Sequence, residues 1–150
     1  MAVEKLEAAA ITSLLTTELN ALANVNASAL GTEYDNATNL YPFGMFELNA
    51  TFGTNPTAGS VCDLYLVPAS DGTNYDDSTT GATLLTPLTS FVGSFPLRAV
   101  TTAQKVPIGV VWRIELPPTK FKLQIINRSG VAFPASGSTV KMIPYRRQIV

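Results

Sequence analysis

The chain has 150 residues, of which 46% are apolar, 9% aromatic and only 14% charged, with a net charge of −1. That length suits one domain with its own core, and the apolar share argues against wholesale disorder. With no histidine and a single cysteine, most metal sites, His-based acid–base chemistry, Cys–His nucleophiles and an intrachain disulfide are excluded.

The leading segment, MAVEKLEAAAITSLLTTELNALA, has acids at its front and Glu18 within it. It therefore reads neither as a secretory signal nor as a membrane span, and synthesis in the cytoplasm is expected. Residues 3–24 are predicted to form an amphipathic helix. Leu6, Ala10 and Leu14 recur at four-residue spacing, and Ile11, Leu15 and Leu22 widen the stripe. Glu4 and Glu7 complement the dipole of its first turn, and Asn24 and Asn26 are stop signals. Such a helix packs on its own domain or serves as an arm on a neighbouring subunit, with Leu6, Ile11 and Leu14 as its contacts.

Residues 25–40 are rich in Asn, Ser, Thr and Gly and read as a linker, and the period from 41 to 150 is two. Phe46, Leu48, Ala50 and Phe52 alternate with polar residues, then Gly53–Gly59 turns the chain, and Cys62, Leu64 and Leu66 mark a second strand. Ser70–Gly81 is too polar to bury, and Leu84–Val92 contains Pro87 and is predicted as an edge strand. Strands are further predicted over Phe95–Thr102, Val106–Leu116 (with Trp112, Ile114 and Leu116 inward), Phe121–Ile125, Val131–Phe133 and through Val140, Met142 and Ile143. Seven or eight short strands separated by turns argue for an antiparallel β-sandwich, most simply a jelly roll, with one N-terminal helix.

Motifs for chemistry are sparse. The stretch Asp71–Asp77 carries oxygen ligands without EF-hand spacing and reads as a solvated loop. Glu47, Asp63 and Glu115 occupy polar strand phases, so solvated faces account for them. Cys62 sits in an apolar strand pattern and reads as a buried, inert thiol. No enzyme, catalytic residue, metal or other cofactor is expected.

Charge is uneven along the chain. Residues 1–97 hold Lys5 against ten acids, a net of −9, whereas residues 98–150 hold nine bases against Glu115, a net of +8. Interleaved strands would mix these charges; segregated ones would make a two-faced particle that associates with itself or with an acidic lattice. Arg128, Arg146 and Arg147 are the basic contacts to test. Direct nucleic-acid binding fits poorly, because no dense basic run is interleaved with aromatics. A β-sandwich that binds carbohydrate would need an exposed aromatic, with Tyr75 the best platform among Tyr41, Tyr65, Tyr75 and Trp112.

The Ala/Leu-rich start, NASALGTEYDNATNLY, FELNATF, TNPTAG, SVCDLYLVPASDGTNYDD and the C-terminal PYR together resemble small virion proteins of tailed bacteriophages, in particular the head-decoration or cement proteins. The resemblance spans most of the chain and rests on texture, with no diagnostic motif. It implies a jelly roll on the capsid surface, a dimer or trimer, bound to the major capsid protein and reinforcing the shell against internal DNA pressure. It carries over no catalytic residue. The alternative is a tail or baseplate module that recognises host carbohydrate.

Overall fold

From Phe43 to Ala50 every second residue is buried, as a strand with one inward face requires. The computed structural model describes residues 4–75 and 91–149, and in them such strands form two antiparallel sheets. In chain order these are β1 (Glu4–Ala8), β2 (Thr12–Leu15), a 3-10 turn (Thr17–Leu19), β3 (Tyr34–Asp35), the one-turn helix α1 (Asn36–Asn39), β4 (Phe43–Ala50) and β5 (Val61–Pro68). Then follow β6 (Phe91–Pro96), β7 (Gln104–Ile108), β8 (Ile114–Glu115), β9 (Lys120–Arg128) and β10 (Thr139–Ile149). Residues 76–90, with the end of the loop predicted at 70–81 and residues 84–90 of the strand predicted over 84–92, lie outside the described residues, while Phe91 and Val92 of that prediction begin β6.

One sheet runs β1-β10-β4-β7, with β2 also on β10 and β8 also on β4; the other runs β3-β9-β5-β6. β10 is long enough to hold two partners on one edge. β1 lies along Tyr145–Ile149 and β2 along Val140–Met142, with a bulge at Val140/Lys141. The inward side chains of both sheets form one core, including Phe46, Leu48, Leu64, Phe95, Phe121 and Leu123. Each such side chain contributes roughly 1.5–3 kcal/mol by leaving water.

The predicted N-terminal helix is not formed. Glu4–Ala8 and Thr12–Leu15 are strands, and the only α-helix among the described residues is the single turn α1, at mid-chain. The open edge of β10 takes main-chain hydrogen bonds that a lone amphipathic helix would have made internally, and tertiary context of this kind overrides a weak local preference. Leu14, Leu15, Leu19 and Leu22 still reach the core, but at strand and turn positions. The Asn/Ser-rich stretch that follows is irregular, yet it is tied to β9. Val25, Ser28 and Gly31 donate to the carbonyls of Asn127, Ile125 and Leu123.

Two predicted strands are shorter than expected. The one predicted from 95 ends at Pro96, and the one predicted over 106–116 is two pieces separated by the turn at Gly109, whose φ is +79°. Val131–Phe133 is not a strand, although Phe133 is anchored by donating to the Leu22 carbonyl.

Candidate interaction face

Alternation in β4 and β10 sends Phe46, Leu48, Val140 and Met142 inward and leaves Phe43, Met45, Ile143 and Tyr145 half-buried on the opposite face. The register sets Tyr145 opposite Phe43 and Ile143 opposite Met45. The Phe43 and Tyr145 rings lie 5.4 Å apart, and the Arg113 guanidinium sits 5.1 Å over Phe43. Leu6 and Ile11 flank these residues in one direction, and the β7–β8 turn flanks them in the other, with Val111 90% and Trp112 57% exposed.

Two grooves cross this face. One of about 420 Å³ lies among Ile11, Met45, Val110 and Ile143, the other of about 270 Å³ among Leu6, Met45, Trp112 and Tyr145. Apolar residues scattered over a surface are ordinary; a contiguous set spanning two strands, an edge and a loop marks an interaction site. Toward the far end of the sheet the face turns polar, where Lys141 stands opposite Glu47 and Lys105 opposite Asn49.

The residues expected to contact partners divide. Leu6 and Ile11 are exposed on this face, whereas Leu14 is 0% exposed and belongs to the core, so it is not a contact. Arg128 lies in the other sheet, its Nε 2.6 Å from Asp63, whose other oxygen accepts from Ser94. Asp63 is thus buried and paired, not solvated. Arg146 pairs with Glu7 at 2.8 Å and Arg147 with Glu4 at 2.9 Å. Lys120 pairs with Glu33 at 3.2 Å. Each of these four ion pairs among the described residues joins an acid from the first 97 residues to a base from the remainder, so there the charges interleave in space.

Among the candidate platforms, Tyr75 is engaged. Its hydroxyl donates to Glu33, and the Lys122 ammonium lies 4.5 Å over its ring. Burial and the Glu33 carboxylate push its phenol up to about 12, while Glu33 is held below the usual carboxylate range by Tyr75 and Lys120. Tyr65 is buried against Phe91, and Tyr41 lies beneath Arg146. Trp112, expected inward, is outside because the turn at Gly109 breaks the strand phase that would have carried it to the core. It borders a recess of about 620 Å³ beside β8, together with Arg113, Glu115 and Phe91.

Asp71 uses its carboxylate to organise its own loop, accepting from the backbone N–H groups of Thr73 and Asn74 and from the Asn74 amide. These bonds, those from Asn74 first, lower its carboxyl below the ordinary value. Among the described residues no group of three or more His, Cys, Asp or Glu is placed to hold a metal ion. No helix among them is long and apolar enough to cross a membrane.

Sequence reasoning missed Phe43, Met45, Ile143, Tyr145, Val110 and Val111 as a surface. A signal was available: in Phe43–Phe46 and Met142–Tyr145 both strand phases carry large apolar side chains, one more than a single core requires. A scan against protein-family models and a search of curated proteins return no match for the chain.

Proposed function

We propose that the chain is a structural virion protein, a capsid decoration or cement protein that binds the major capsid protein lattice and stabilises the head. The observation that carries this reading is the contiguous apolar face around Phe43, Met45, Ile143 and Tyr145, widened by Leu6, Ile11 and the exposed Val110–Trp112 turn. Such a surface suits a protein partner, with aromatic anchors at its centre and charged pairs at its rim. The strand order supports the jelly-roll form of the β-sandwich. With β2 and β8 taken as extensions of their neighbours, the sheets read β1-β10-β4-β7 and β3-β9-β5-β6, the arrangement of two Greek keys.

A surface with few charges lowers the cost of setting many copies side by side. Binding only the assembled shell stabilises it by mass action, about 2.7 kcal/mol per site at a hundredfold excess over Kd. The test reloads shells stripped of this protein. Reloading is expected to raise their melting temperature, and Val111→Asp, a change at a nearly fully exposed position, is expected to abolish occupancy. An unchanged melting temperature, or full occupancy by the variant, overturns the reading.

One feature favours a second reading, a tail or baseplate module for host carbohydrate. It is the exposed Trp112 beside the recess holding Arg113 and Glu115. Aromatic rings are the usual stacking surface for sugar faces, and here Trp112 takes the place assigned to Tyr75. A glycan array without hits removes this alternative.

A further inference from the structure

β10 continues past its last partner on β4. Tyr145 faces Phe43, and beyond it Arg146–Ile149 pair only with Glu4–Glu7 of β1. A two-stranded ribbon of this kind is marginal by itself in water, and this one carries Leu6 at 66% and Ile149 at 77% exposure. Among the described residues β1 has β10 on one side and no strand on the other.

The hydrogen-bond parity of that open edge follows from one contact. Ala9 donates to the Pro144 carbonyl at 2.8 Å, and Ala8 is opposite Tyr145. Residues that exchange hydrogen bonds alternate along an antiparallel pair. Ala9, Glu7 and Lys5 therefore turn their main-chain groups toward β10, while Ala8, Leu6 and Glu4 turn theirs outward.

We propose that β1 pairs antiparallel with β1 of a second copy about a two-fold axis at Leu6, joining two six-stranded sheets into one. In this register Leu6 meets Leu6, exchanging both main-chain hydrogen bonds, and Glu4 meets Ala8 in the same way. Lys5 of each chain then stands opposite Glu7 of the other, in the close non-hydrogen-bonded positions. Because Glu7 already pairs with Arg146 at 2.8 Å, charges alternate across the polar side of the junction. A shift of the axis to Lys5 sets Lys5 against Lys5, and a shift to Glu7 sets Glu7 against Glu7, so charge selects the Leu6 register over its neighbours. Registers with the axis midway between two residues are closed, since they set an outward-turned residue against an inward-turned one and reverse the faces. The segment EKLEA is thus complementary to itself in one antiparallel register.

This dimer needs no shell, so its test is made on the full chain free in solution and stands apart from lattice binding. Sedimentation over a concentration series is expected to give twice the chain mass of 16.0 kDa. Leu6→Pro removes an outward N–H without touching the ladder to β10, and is expected to give monomer with an unchanged circular dichroism spectrum. K5E alone and E7K alone are each expected to weaken dimerisation by about tenfold or more, each placing like charges opposite one another twice. An equimolar mixture of the K5E and E7K chains is expected to dimerise, because every opposed pair is then of opposite sign. A monomeric wild-type chain, a dimeric Leu6→Pro chain, or a mixture no more associated than its components overturns the proposal.

Discussion

The lone cysteine shows what a strand position in the core does to a reactive group. Cys62 stands between Phe95 on β6 and Asn127 on β9, with its thiol 3.9 Å from the Asn127 side-chain oxygen. That asparagine is committed elsewhere, donating to the Leu22 and Val131 carbonyls and accepting from the Ser129 N–H. Burial is the main cause that pushes the Cys62 thiol from near 9 up to about 12. The folded chain therefore holds a proton that the unfolded chain releases. The contribution is complete below pH 9 and declines as pH rises toward 12, because the folded state binds more protons across that window. At pH 8 an aromatic disulfide reagent is expected to label Cys62 at the rate of unfolding and to accelerate with denaturant. Fast stoichiometric labelling of the native protein contradicts this burial.

At the scale of elements, the crossing of residues 16–33 over the core depends on a close approach at Gly31. Its N–H donates to the Leu123 carbonyl, and Thr32 donates to that of Leu14, so the backbone is held from both sides. A Cβ at Gly31 would lie 2.0 Å from the Leu14 carbonyl oxygen and 2.8 Å from a Leu15 methyl. The first obstacle is main chain in a strand and cannot rotate away. Gly31→Ala is expected to cost about 2–4 kcal/mol, read as a lowered midpoint in urea unfolding with an unchanged slope. A loss under about 0.5 kcal/mol would mean the crossing is loose. The same stretch shows where sequence is legible. β4, β5 and β9 could be read directly, because each buries one whole phase of its alternation in a single core. β1 and β2 could not, because Leu6, Ala10 and Leu14 satisfy a four-residue spacing, and only the length of β10, more than a hundred residues away, offers the ladder that captures them. Trp112 was misplaced for a related reason. The turn at Gly109 changes strand phase, and a pattern of alternating residues does not record such a break.

At the scale of the molecule, topology sets acids from the first part of the chain beside bases from the last, in four ion pairs among the described residues. β1 and β10 come from opposite ends and opposite signs, and they lie side by side with Glu7 opposite and paired to Arg146 and Glu4 paired diagonally to Arg147. Glu33, just before β3, pairs likewise with Lys120 at the start of β9. Among the described residues these pairings set acids beside bases, while the face around Phe43, Met45, Ile143 and Tyr145 is apolar. The proposed attachment to a shell is then driven by removal of Phe43, Met45, Ile143, Tyr145 and the Val110–Trp112 turn from water, a driving force that salt does not screen. Raising ionic strength from 0.1 to 1 M shortens the Debye length from about 10 to about 3 Å, which would weaken attachment through charge by orders of magnitude. Apolar attachment holds its affinity under the same change, and strongly excluded salts such as sulfate tighten it. Occupancy of reloaded shells is therefore expected to stay level across a sodium chloride series and to rise in ammonium sulfate. A steep fall with sodium chloride would return the contact to Arg128, Arg146 and Arg147, and would require those side chains to leave the carboxylates that now hold them.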